Sequence, residues 1–170
     1  RAEGQDICIE QIEELQQKFI EVVESPEWNE FQEKFNNCDD VYVLGHGGNL
    51  AVADHTAVDI TRLSNGRKNA MTPSSAVVAT SLINDTNFDQ WMVSWLNHRT
   101  AVRTPAQMKR SLVYGISSSG RSTDVMKALQ WASDNGMQTV LVTGQPMNVK
   151  IPGLTTVHLN TKYYHTCEVL

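Results

Sequence analysis

Four short apolar runs constrain this chain more than any other feature: CDDVYVLG (38–45), SLVYGI (111–116), MQTVLVTG (137–144) and TTVHLN (155–160). The first three are apolar through their centres rather than alternating, which is the pattern of a strand covered on both faces. Stretches of helical periodicity separate them. Strands alternating with helices pair in parallel through βαβ crossovers, so the fold class is α/β with a parallel sheet. NAMT (69–72) reads as a shorter fifth strand.

The helical stretches are equally readable. Residues 5–24 set Ile9, Ile12, Leu15, Phe19, Val22 and Val23 at helical spacing among acids. A second helix starts at Pro26, after Ser25 as its cap, and runs to about Asn37. GGNLAVADHTAVDITRLS, SSAVVATSLIND, FDQWMVSWLNHR and RSTDVMKALQWASDNG follow as helices, the last ended by Gly136. YYHTCEVL opens a final helix that the end of the chain cuts short. A length of 170 residues suits a single domain over 1–170. Within it, 1–40 lies outside the strand–helix alternation, an N-terminal helical oligomerisation segment expected to pack on a partner subunit, and 41–170 is the alternating core.

Charge is unevenly spread. Residues 1–40 carry 12 Asp and Glu against 3 Lys and Arg, and residues 41–170 carry 7 against 11. The body is mildly basic without a clustered basic face, which argues against nucleic-acid binding and permits a small anionic ligand. No apolar run approaches the ~20 residues of a membrane span, and the first ten residues lack the pattern of a signal peptide. Cys8, Cys38 and Cys167 are scattered, odd in number and without metal-ligand spacing. A reducing compartment follows, with the cytoplasm as the expected location and no membrane partner.

Two turns rich in glycine and serine carry the chemistry. In VYVLGHGGNL the glycines are Gly45, Gly47 and Gly48. A dinucleotide fingerprint would need glycine where Leu50 stands, and no GK[ST] follows to make a P-loop. A glycine turn at a helix head remains, able to bring backbone N–H groups close to a ligand or simply to make a tight connection. In YGISSSGRSTDV, the serines Ser117, Ser118, Ser119 and Ser122 surround Gly120 before a helix. One serine suffices for an N-cap, so three are surplus. Hydroxyl donors at the positive end of a helix suit a phosphate. A serine-hydrolase elbow is excluded, because Ser119 occupies the position that GxSxG reserves for glycine.

Together these elements resemble the sugar isomerase (SIS) domain family, nearest to its phosphoheptose isomerase branch. The resemblance rests on VYVLGHGGNLAVADHTAVDITR, SLINDTNFDQWMVSWL and VYGISSSGRSTDVMKALQWASDNGMQTVLVTG, and so covers most of the chain. It implies a three-layer αβα sandwich with a parallel sheet, a homo-oligomer (a tetramer packed through its N-terminal helices) and sites at subunit boundaries. It implies that Gly47, Gly48, Asn49, Asp85, Ser117, Ser118, Ser119 and Ser122 bind a phosphorylated sugar.

The activity implied is aldose–ketose isomerisation of sedoheptulose 7-phosphate or a related phosphosugar through an enediol. Asp59 stands where the family carries a glutamate base, one methylene shorter, and His55 matches a family histidine. His165 and Glu168 are the remaining catalytic candidates, near the chain end. His55 and Asp59, at i and i+4 on one helix face, are also a candidate site for zinc or another divalent metal. Without the resemblance, the same pair reads as an ordinary solvated helix face. His46 replaces the asparagine of the family turn and Asn49 its serine. These departures leave a second expectation open: a non-catalytic phosphosugar-binding SIS protein that acts as a regulator or interaction module.

Overall fold

The computed structural model of the protein describes residues 11–170. The helix expected over 5–24 is seen as α1 (Ile12–Val23), and its first residues lie outside the described range, as does Cys8. The elements that follow are α2 (Pro26–Asn36), β1 (Asp40–Leu44), α3 (Gly48–Leu63), β2 (Asn69–Met71), α4 (Ala76–Asp85), α5 (Trp91–Thr100), α6 (Pro105–Lys109), β3 (Ser111–Ser117), α7 (Thr123–Asp134), β4 (Gln138–Thr143), β5 (Leu154–His158) and α8 (Tyr164–Val169). All five expected strands are present. The sequence reading missed only α6, a single turn held by a capping box between Thr104 and Gln107.

The strands form one sheet in the order β2-β1-β3-β4-β5, every neighbouring pair parallel. The α/β class with a parallel sheet is therefore as expected. Period-two alternation sends successive side chains to opposite faces. Tyr42, Leu44, Val113 and Leu141 face a core made with α5 and α7, where Trp91, Trp95, Leu96 and Leu129 are buried. Val41, Val43, Leu112, Ile116 and Val140 face the other way, onto Ala53 and Ala57 of α3 and the phenylalanines of α2. Helices thus cover both faces, which explains why the central strands β1, β3 and β4 are apolar through their centres.

The chain passes from β1 to the edge strand β2, then returns to lay β3 on the other side of β1. The order reverses between β1 and β3, and at such a switch point the connections leave a crevice at the carboxyl ends of the strands. Both unusual turns of the sequence sit there.

The N-terminal helices are less committed. Neither α1 nor α2 has a fully buried residue. Ile12, Phe19 and Ile20 of α1 are exposed, as are Val58 and Leu63 of α3. Ser25 caps α2 by accepting from the Trp28 amide at 3.1 Å.

Candidate functional site

The glycine turn joins β1 to α3, and the serine loop joins β3 to α7. Leu44 and Gly115 are register partners in adjacent strands, so the two connections rise side by side. Two helix N-termini converge on one spot, each presenting unpaired N–H groups and the positive end of its dipole. The turns are stitched together twice. The Asn49 side-chain amide donates to the Ser118 hydroxyl at 2.9 Å. His46 Nε2 lies 2.7 Å from Asp124 Oδ2, on the first turn of α7.

None of the serine hydroxyls caps α7. Ser122 occupies the N-cap position, yet its side chain makes no capping bond and instead lies 3.0 Å from the Ser117 hydroxyl. Ser117 is 2% exposed, so it props the loop from beneath. Ser119 is exposed and accepts from the Arg121 amide at 3.2 Å. Gly120 has φ +64, and a Cβ there would press on the Gln145 carbonyl and the Thr143 hydroxyl. Asn49 is buried, and its Oδ1 has no hydrogen-bond partner among the described residues. A buried acceptor left open is costly unless a ligand group fills it.

The loop between α4 and α5 closes one side. Phe88 stacks on His46 with centroids 5.7 Å apart and planes at 21°. Thr123 donates to Asp89 at 2.6 Å and Lys127 at 3.0 Å. Those bonds, Thr123's foremost, hold the Asp89 carboxyl below its usual range. Trp91 Nε1 donates to Asp124 Oδ2 at 2.8 Å, and the Val125 amide to Oδ1 at 3.0 Å. Asp85 is exposed at the end of α4, beside this loop, with its nearest side-chain partner Asn84 at 3.4 Å.

Glu168 of α8 reaches the same turn. A Cβ at Gly48 would overlap its carboxylate. His165 Nδ1 is 3.9 Å from Glu168 Oε2 and packs on Tyr164. Tyr114 of β3 is not a proton-transfer group at ordinary pH, since burial pushes its phenol up to about 12.

His55 and Asp59 stand apart from this cluster. Asp59 follows Gly48 by 11 residues of α3, about 16 Å along the axis at ~1.5 Å per residue. His55, 79% exposed, pairs with Asp59 at 3.1 Å, and Arg62 holds the other carboxylate oxygen at 3.0 Å. Among the described residues no group of three or more His, Cys, Asp or Glu side chains converges on a metal-sized space. One protomer therefore offers two donors here, where zinc takes three or four from protein. The pair does not by itself fit a zinc centre.

No protein-family model matches the chain. A phosphoheptose isomerase of Synechocystis sp. is 29% identical over 155 residues, spanning 80% of this chain and 75% of that protein. One from Aliarcobacter butzleri is 30% identical over 118 residues, which cover 66% of this chain and 58% of that protein. The solved phosphoheptose isomerase GmhA from Neisseria gonorrhoeae superposes with a TM-score of 0.75 at 20% identity, over 91% of this chain and 83% of that one. The chain is thus similar in sequence to phosphoheptose isomerases and shares the fold of the solved ones.

The structure brings Gly47, Gly48, Asn49, Ser117, Ser118, Ser119, Ser122 and Glu168 to one place and keeps His55 and Asp59 out of it. The sequence reading noted His46 only as a departure, and it missed Asp124, Trp91 and Phe88. An acid two residues past the last serine, at the start of a helix, was the available signal for Asp124. Nothing local marked the aromatic pair. The described residues include no helix long and apolar enough to cross a membrane.

Proposed function

We propose that the protein isomerises a phosphorylated sugar between ketose and aldose, with sedoheptulose 7-phosphate or a close relative as substrate. The observation that carries this reading is the joined head of the sheet, where two helix N-termini and serine hydroxyls not spent on capping α7 converge at the switch point. A phosphate dianion needs many donors from several directions, and this arrangement supplies them without a lysine. Ser118, Ser119 and Ser122 bind the phosphate, and Ser117 supports them. The open Oδ1 of Asn49 accepts from a sugar hydroxyl, and Asp85 approaches the sugar from the α4–α5 side.

Isomerisation needs a base that takes a proton from the carbon beside the carbonyl and returns it to the neighbouring carbon. Glu168, against Gly48, is a carboxylate that one protomer brings to the turn with solvent access, whereas Asp124 is buried. Asp59 serves only where a second protomer carries it to a site. It shares the α3 surface with exposed Val58 and Leu63, and α1 exposes Ile12, Phe19 and Ile20. These faces support a homo-oligomer, with a tetramer as the form to test by light scattering. The experiment for the activity is incubation of the protein with sedoheptulose 7-phosphate, following aldose formation. Absence of turnover, with and without added zinc, rejects it.

One observation favours a second reading. Asp59, at the family's base position, is already held by Arg62 and His55. A protein that binds the phosphosugar without converting it, as a regulator or interaction module, shows thermal stabilisation by the sugar phosphate and no product.

A further inference from the structure

We propose that His46 moves the oxygen proton of the isomerisation, with Asp124 and Trp91 as the residues that position its ring. The inference rests on the isomerase reading above. An enediol pathway has two proton relays. One carries a proton from carbon to carbon, and the other must protonate the carbonyl oxygen and deprotonate the neighbouring hydroxyl. Glu168 can serve the first but not both at once. Two imidazoles lie near the cluster at the sheet head, His165 at 3.9 Å from Glu168 and His46, and of the two His46 is the one oriented by a buried carboxylate.

Its setting is that of an oriented acid–base group. A carboxylate only accepts, so the 2.7 Å contact with Asp124 puts the proton on Nε2. Nδ1 has no bonded partner among the described residues, and the side chain remains 35% exposed beside the glycine turn. Asp124 is fully buried and accepts from His46, Trp91 and the Val125 amide. Those bonds fix the carboxylate, the carboxylate fixes the ring tautomer, and Phe88 stacks flat on the ring. A buried carboxylate that orients a histidine and steadies its protonated form is the arrangement used in acyl-transfer triads. A clamp between the two turns would not need an imidazole, because the Asn49–Ser118 bond already supplies one.

The step balances without a co-reactant. As Glu168 takes a proton from C1 of the ketose, charge builds on the C2 oxygen, and Nδ1 takes the proton of the C1 hydroxyl and hands it to that oxygen. Glu168 then returns its proton to C2 as the C1 oxygen becomes the carbonyl. The aldose results, and both side chains regain their starting states.

The test uses the whole chain carrying His46→Asn, His46→Gln or Asp124→Asn. Stabilisation by inorganic phosphate in thermal melts reports the phosphate site, and turnover of sedoheptulose 7-phosphate reports the chemistry. The His46 variants are expected to keep the phosphate stabilisation and lose about 100- to 10,000-fold in kcat, with KM within about threefold. Asp124→Asn should lower kcat with KM unchanged, and free imidazole should restore part of the turnover of His46→Ala. Turnover within about threefold of wild type in both His46 variants overturns the assignment. So does loss of the phosphate response together with turnover in both, which marks a structural clamp. A wild-type protein without turnover rejects the isomerase reading, and this inference with it, whereas loss confined to the variants leaves that reading standing.

Discussion

Asn49 and Ser118 are 69 residues apart in sequence and share a 2.9 Å hydrogen bond at the head of the sheet. The bond joins the first turn of α3 to the loop that precedes α7, so the heads of two helices are held as one unit. A bond of this kind contributes roughly 0.5–1.5 kcal/mol net. Its larger consequence is geometric, because it fixes where the hydroxyls and helix N-termini converge.

The four serines of the loop should therefore separate by role. Ser119→Ala removes an exposed hydroxyl and should leave stability unchanged. It should weaken sugar-phosphate binding about 10- to 150-fold, the equivalent of a charge-assisted bond of ~1.5–3 kcal/mol. Ser117→Ala removes a buried hydroxyl bonded to Ser122, and should cost about 1 kcal/mol of stability with a smaller effect on affinity. Titration calorimetry and thermal melts on the two variants read these apart. Equal affinity in Ser119→Ala and wild type would mean that the loop holds no phosphate.

Gly48 gives a sharper contrast. Its missing Cβ is the space that the Glu168 carboxylate occupies. The obstacle is the far end of a flexible side chain, so Gly48→Ala should fold and melt within about 1 kcal/mol of wild type. Glu168 must swing away to admit the methyl group. A displacement of ~1 Å at a reacting group can cost about 100-fold in rate, and a loss of that order in kcat is expected. Undiminished turnover in a folded Gly48→Ala protein would remove Glu168 from the chemistry.

The fold was legible because each strand is a short apolar run between helices, and burial on both faces by α3, α5 and α7 explains that pattern. The serine loop was legible because hydroxyls beyond one cap have no local use. α6 escaped because a single turn has no periodicity, although Thr104-Pro105 and Gln107 were its signature. The network around Asp124 escaped for a different reason. His46, Trp91 and Val125 meet one carboxylate only after β1 and β3 pair and α5 packs on α7. Local sequence does not encode such a meeting. The distance of Asp59 from the turn, by contrast, follows from counting residues along α3.

Cys38 permits a prediction about reactivity. Its thiol is 1% exposed, and burial pushes it up to about 11 from an ordinary 9.0. The thiolate is the nucleophile, so Cys38 should resist iodoacetamide at neutral pH and react once denaturant is added, read residue by residue in mass spectra. The pH dependence has a definite sign. The folded thiol keeps its proton above pH 9.0, where the unfolded one releases it, so this group's contribution to stability is present below pH 9.0. It is lost as pH rises toward about 11. Fast labelling of native Cys38 at neutral pH contradicts this.

The two carboxylates that could serve as base are separable by isosteric change. Glu168 lies at the glycine turn, while Asp59 stands about 16 Å along α3 from it, paired with His55 and Arg62. Glu168→Gln keeps the shape and removes the proton acceptor, so kcat should fall about 100- to 10,000-fold. Asp59→Asn breaks only exposed ion pairs, worth about 0.2–1 kcal/mol. Turnover should stay within about tenfold of wild type, because a base acts only within hydrogen-bond reach of the carbon it deprotonates. The reverse result, a large loss in Asp59→Asn and a small one in Glu168→Gln, transfers the base to Asp59. A base so placed must come from a second protomer. An equimolar mixture of Asp59→Asn and Ser119→Ala chains, unfolded and reassembled together, would then regain, at substrate concentrations well below the KM of Ser119→Ala, activity that neither has alone. No recovery is expected when each protomer holds its own base.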